Sequence, residues 1–324
     1  MKGLALAERY FEACGRPMLE EEFPELAPRV AAGLVGQGSE CFGFDDAISR
    51  DHDFGPGFCL WLTDEDAERY GQALAKAYEA LPKDFLGVPG RLASAQGGGR
   101  VGVMTIRHFY QRFIGSEQPP RSNRRWLLLP SHQLATETNG QIFCDPLGEF
   151  SALRAALAAY PEDVRRKKIA AHLALMAQSG QYNYARSMRR GETVAAELAL
   201  REFIEKTLGL VYLLNHRYAP YYKWLFHGAQ TLPVLAPAVC PMLSALCESG
   251  VQRDAWAGAV TDPQVNRRDQ KVVLIEAICA EVVAELKRQQ LTGLDVDFLE
   301  PHAWEVQARI GDPQLRRCHI MEGA

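Results

Sequence analysis

The apolar residues of this chain keep two different rhythms. Over residues 1–150, short apolar runs of strand length alternate with stretches of helical spacing, whereas residues 151–324 keep helical spacing almost throughout. In the first part, residues 3–14 and 17–28 predict two helices split at Gly15-Arg16-Pro17. Val30 to Val35, ended by Gly36, predicts a short buried strand. Residues 51–62 predict a second strand that pauses at Gly55-Pro56-Gly57. Thr63-Asp64-Glu65-Asp66 then opens a helix running to about Leu81. Thr63 can cap it, acidic side chains suit its positive end, and Asp66 stands where a capping box closes. After a loop over 83–100, Arg100 to Ile106 is β-like, a short helix reaches Gly115, and another covers about 123–138. Asn139-Gly140 marks a turn before a third short strand over 141–145.

Past Ser151 the period is helical. Ile169, His172, Leu173 and Met176 share one face, as do Leu200, Phe203, Ile204, Leu208, Val211 and Leu214, and later Ile275, Cys279, Val282 and Leu286. Prolines at 233, 237 and 241 predict short helices there rather than one long rod. The expectation is an α+β chain: a small mixed-sheet domain with a helical N-terminal extension over 1–150, then an all-helical bundle over 151–324.

Composition narrows the class. With 47% apolar and 23% charged residues, the chain reads as globular, and a formal charge of −4 argues against a generic nucleic-acid binder. No window approaches 18 uninterrupted apolar residues, and the N-terminus reads as an amphipathic helix rather than a signal peptide. Eight scattered cysteines with no Cys-x-x-Cys pair fit reduced thiols, so a cytoplasmic location is expected.

Candidate chemistry concentrates between Leu34 and Leu62. There is no P-loop, no His-Glu-x-x-His and no Gly-x-Ser-x-Gly, and the Gly-x-Gly-x-x-Gly pattern begun by Gly36 and Gly38 breaks at Cys41. What stands is a strand, the turn Gly38-Ser39, and then Asp51-His52-Asp53 at the head of the next predicted strand. Gly38 permits close backbone approach, and its neighbouring N–H groups with the Ser39 hydroxyl can hold phosphate oxygens. On a strand, Asp51 and Asp53 would share a face roughly 6.5–7 Å apart and could converge on Mg²⁺, with His52 facing away. A third carboxylate is needed, for which Asp145 at the end of the third strand is the first candidate and Glu149 the second.

This combination resembles the polymerase-beta-like nucleotidyltransferases. Gly43-Phe44-Asp45-Asp46, Ser49-Arg50-Asp51-His52-Asp53, Gln181-Tyr182-Asn183-Tyr184 and Tyr221-Tyr222-Lys223-Trp224 are similar to the family called domain of unknown function 4037, over most of residues 20–240. The resemblance implies transfer of a nucleoside monophosphate from an Mg²⁺-bound NTP, ATP first, to a hydroxyl of a small molecule or protein. Asp51, Asp53 and Asp145 would hold the metals, Gly38 and Ser39 the phosphates, and Lys223 would add a cation from the helical half. The alternative is a non-catalytic nucleotide- or partner-binding module that keeps the fold. Other charged positions have structural readings. Asp45-Asp46 read as a turn or capping pair, and Arg165-Arg166-Lys167-Lys168 and Arg186, Arg189 and Arg190 as solvated helix ends. His172 reads as a core histidine, and Asn215 as a side chain needing a buried partner.

Overall fold

The computed structural model describes residues 1–50, 53–91, 99–257 and 266–324. Its contacts divide the chain into two compact units, residues 1–120 with 129–158, and residues 121–128 with 159–324. The class is α+β.

In the first unit, α1 (Gly3–Tyr10) passes through a wide helical turn, Phe11–Gly15, into α2 (Arg16–Glu22). The break expected at Gly15-Arg16-Pro17 does not occur. A proline has no N–H to donate one turn back, and widening the turn ahead of it absorbs the mismatch without ending the helix. The strands are β1 (Ala31–Leu34), β2 (Cys59–Leu62), β3 (Gly102–Thr105) and β4 (Gln141–Cys144). Their order is β3-β2-β1-β4, with β1 antiparallel to β2 and β4, and β2 parallel to β3. The helices between them are α3 (Ser39–Phe42), α4 (Asp64–Ala80), α5 (Ile106–Ile114) and α7 (Ser131–Glu137), α8 (Glu149–Ala156) follows β4, and α6 (Asn123–Leu128) belongs to the second unit.

Side chains alternate along each strand, so both faces of this sheet need cover. On one face Ala32, Phe58, Leu60 and Leu62 pack with Phe11, Leu19 and Leu74 of the flanking helices. On the other, Trp61 stacks on Phe150 at 4.0 Å and meets Phe109 edge-on at 5.5 Å. Thr63 caps α4 as expected: its Oγ1 accepts from the Asp66 N–H at 3.1 Å, while the Asp66 carboxylate takes the Thr63 hydroxyl at 2.9 Å rather than the Thr63 N–H that a full capping box would use.

The second unit is helical. Its α9 (Glu162–Met176) continues through a wide segment, Ala177–Tyr184, into α10 (Ala185–Arg189). Then come α11 (Thr193–Leu214), α12 (Tyr222–Ala229), α13 (Ala236–Glu248), α14 (Gln270–Arg288), α15 (Leu299–Ala308) and α16 (Pro313–Arg316). Two of the three prolines share α13: Pro237 lies in its first turn, where no N–H is required, and Pro241 lies inside it. His172 is half-buried and packs its ring against Gly209 of the bundle; Nδ1 lies 2.8 Å from the Lys168 carbonyl and burial pushes its pKa down to about 3. Asn215 has its partners: its amide donates to the carbonyls of Val211 and Val234 and accepts from the Val234 N–H at 3.0 Å.

The basic run at the start of α9 is not a solvated end. Arg165, Lys167 and Lys168 are buried; Lys167 Nζ donates to the Ile320 carbonyl at 2.8 Å and Lys168 Nζ to the Gly323 carbonyl at 2.9 Å. Asp163 accepts from the Gly311 and Asp312 N–H groups at 3.0 and 2.8 Å. This turn of helix is a latch for residues 311–323, whose carbonyls lie too far along the chain for any local pattern to reveal.

Candidate functional site

The antiparallel pairing of β1 with β2 brings the end of β1 beside the start of β2, and β3, parallel to β2, starts there too. Three loops therefore converge at one end of the sheet: Gly36–Ser39, Asp53–Phe58 and the approach to β3 at Arg100. Gly38 has φ +121°, a conformation open to glycine, and its residue enters the short α3 with Ser39 half-buried. Asn139 fastens this turn from the side, accepting from the Gly36 N–H at 2.9 Å and donating to the Gly36 carbonyl at 2.8 Å.

Asp53 does not lie on a strand. Its φ is +56°, the left-handed region that aspartate tolerates better than most residues, and β2 begins only at Cys59. The alternation that was to align two carboxylates thus fails at Asp53, because Gly55-Pro56-Gly57 interrupts the extended chain. Asp51 and His52 lie outside the described residues. The Asp53 carboxylate is buried and faces Arg100, Oδ2 to Nη1 3.3 Å.

Sequence reasoning missed the arginines. Arg91 Nη1 lies 2.7 Å from Glu40 Oε1 and donates to the Asp53 carbonyl at 2.5 Å, while Nη2 donates to the Gly55 carbonyl at 3.1 Å. At Gly55, φ +147°, a Cβ would come within 2.9 Å of the Arg91 nitrogen and the Pro89 carbonyl, so only glycine lets the two loops close. Burial raises the Glu40 pKa above its ordinary value, although the guanidinium of Arg91 opposes the shift. The only local hint was an arginine on each side of a glycine-rich loop.

Asp45 and Asp46 serve as scaffolding. Asp45 Oδ2 accepts from the Gly3 N–H at 2.9 Å and so anchors the start of α1. Asp46 Oδ1 accepts from the Ile48 and Ser49 N–H groups at 3.0 and 2.8 Å, closing a turn.

Asp145 is a correction. In the antiparallel β1–β4 register Cys144 faces Ala32 and Gln141 faces Leu34, so Asp145 leaves the sheet beside the start of β1. The Gly38-Ser39 turn leaves from the other end, at least roughly 10 Å along the strand. Asp145 instead accepts from the Ser151 N–H at 2.7 Å, holding the entry to α8, and Glu149 starts that same helix. Lys223 is an exposed residue of α12 in the second unit, its ammonium 5.1 Å from the Trp224 ring centroid.

Residues 126–225 match the family model described as Domain of unknown function (DUF4037). That region spans α6 to the first turn of α12 and includes Gln181-Tyr182-Asn183-Tyr184 and Tyr221-Tyr222-Lys223-Trp224. No curated protein matches the chain. Among solved structures, the crystal structure of a nucleotidyltransferase-like protein from Exiguobacterium sibiricum is similar at 12% identity, over 87% of this chain and 78% of that one, with a TM-score of 0.35.

Among the described residues no group of three or more His, Cys, Asp or Glu side chains is placed to hold a metal ion, and no helix is long and apolar enough to cross a membrane. Asp53 is the right kind of ligand for a hard cation such as Mg²⁺, an oxygen donor at the same end of the sheet as the Gly38-Ser39 turn. Asp145 is not placed to join it.

Proposed function

We propose that the protein transfers a nucleoside monophosphate from an NTP, ATP being the first candidate, to a hydroxyl of a small molecule or another protein. The observation that supports this best is the convergence at one sheet end of Gly38-Ser39 with Asp53, flanked by two half-buried arginines, Arg91 and Arg100. In this reading the backbone N–H groups at Gly38 and the Ser39 hydroxyl bind phosphate oxygens, and Arg100 exchanges its carboxylate partner for the nucleotide's negative charge. Asp51 and Asp53 would hold Mg²⁺, which when bound neutralises phosphate charge. Asp145 has no part in the reading.

Thermal unfolding with ATP, GTP, CTP and UTP, each with and without Mg²⁺, tests binding before turnover. A nucleotide at about 100 times its dissociation constant adds about 2.7 kcal/mol of stability. The wild type should gain this with one nucleotide, Ser39→Ala should gain less, and the Asp51→Ala/Asp53→Ala double variant should lose the Mg²⁺-dependent part. Equal stabilisation of wild type and double variant would refute the assignment. The pairing of Asp53 with Arg100 and Glu40 with Arg91 favours one other reading, a nucleotide- or partner-binding module without turnover. Labelled-ATP transfer assays separate the two, since that module binds nucleotide and releases no pyrophosphate.

A further inference from the structure

The helical unit contains a cavity of about 980 Å³, at the upper end of the size range of small-molecule sites. Its walls come from α9, the wide segment Ala177–Tyr184, α14, the segment entering α15 and residues 320–321. Aliphatic side chains such as Val272 and Met321 make part of the lining, and Tyr182 and Phe298 add aromatic surface. The charged lining residues are three carboxylates, Glu276, Asp297 and Glu300, against one guanidinium, Arg267.

The polar wall is built rather than incidental. Gln181 is 5% exposed and uses its whole amide: Nε2 donates to Glu276 Oε2 at 2.9 Å and to the Asp297 carbonyl at 3.1 Å, and Oε1 accepts from the Leu299 N–H at 3.0 Å. It thereby orients the Glu276 carboxylate and fixes the loop that carries Asp297 and Phe298. The wide helical segment is what places Gln181 here, and such insertions are frequent at binding sites. Burial, helped by the nearby Asp297, raises the Glu276 pKa, although the Gln181 amide and the Arg267 guanidinium oppose the shift.

We propose that this cavity binds a small organic cation, an amine or amidinium carried on an apolar body, with Glu276 as its counter-ion and Gln181 as the residue that positions Glu276. An apolar body fills the aliphatic and aromatic lining, and the cationic end meets the excess of carboxylate. An anionic ligand of the same shape would meet the excess of carboxylate, and a neutral one would leave three carboxylates facing the single guanidinium of Arg267. The inference stands apart from the nucleotidyl-transfer reading, because every residue it uses belongs to the helical unit.

Isothermal titration of the full chain with phenethylamine, benzamidine, phenethyl alcohol and 3-phenylpropanoate tests it. At millimolar concentration the two cations should bind, the alcohol weakly and the carboxylate not at all. Glu276→Gln keeps the shape and the Gln181 contact and should weaken the cations about tenfold, the size of one charge-assisted hydrogen bond. Ala277→Phe, which projects a ring into the cavity from α14 beside Glu276, should abolish binding of both cations and the alcohol, with unfolding midpoints as the check that both variants are folded. Absence of binding by both cations, equal binding of cation and carboxylate, or cation affinity unchanged in both folded variants would overturn the proposal.

Discussion

Glu137, the last residue of α7, is 0% exposed, and neither carboxylate oxygen has a hydrogen-bond partner among the described residues. Burial pushes its pKa from 4.5 up to about 8. Between those values the folded protein keeps a proton that the unfolded chain has released, so stability falls as pH rises, by about 1.4 kcal/mol per unit for a single site. Urea unfolding at pH 5 and pH 8 should show wild type losing a few kcal/mol relative to Glu137→Gln, which does not titrate. A constant difference between the two would show that Glu137 is solvated. Glu40 is the opposite case, a buried carboxylate with a partner 2.7 Å away in Arg91. Glu40→Ala strands that guanidinium and should cost about 3–5 kcal/mol in the same measurement. Neither environment was legible in the sequence. Glu137 closes a short helix like many solvated glutamates, and Glu40 and Arg91 are separated by 51 positions.

Elements were most legible where their signals are local. Thr63 announces α4 because a cap and the N–H it accepts from lie within one helical turn, and Thr63→Ala should cost about 1 kcal/mol by thermal unfolding. Legibility failed where distant partners decide the outcome. The wide turns Phe11–Gly15 and Ala177–Tyr184 have no composition of their own; packing imposes them. The predicted strand over 51–62 shrank to Cys59–Leu62 because Asp53 turns left-handed and the loop closes on Arg91. The basic start of α9 is the clearest case. Burial lowers the pKa values of Lys167 and Lys168 from 10.5 to about 8, so between pH 8 and 10.5 the unfolded chain binds the extra protons and stability rises with pH. Lys167→Met has no such group to titrate. Wild type should therefore gain on that variant by roughly 1 kcal/mol between pH 8 and 9 in guanidinium unfolding, and a fixed gap would show Lys167 titrating normally.

The molecule as a whole is cut differently from the rhythm of its apolar residues. A boundary at 150 would fall inside α8, one residue past its start, and would leave Phe150 at a free end although it stacks on Trp61 at 4.0 Å. A 1–158 fragment should therefore be more soluble and unfold more cooperatively than a 1–150 fragment, measured by circular dichroism on heating. Because 121–128 belongs with the helical unit, with Trp126 and Leu127 buried there, a 159–324 fragment should bind a dye for exposed apolar surface that the full chain does not. The α9 latch carries the same point into time. Lys167 meets the carbonyl of Ile320 across a separation of 153 residues. At roughly 5–20 residues per second, the ribosome delivers that carbonyl about 8–30 seconds after the lysine. For that interval a nascent helical unit holds ammonium groups whose buried partners have not yet been made. Its final compaction is thus tied to the arrival of residues 311–323, while the sheet of the first unit, whose strands are all made by residue 144, is free to form well before.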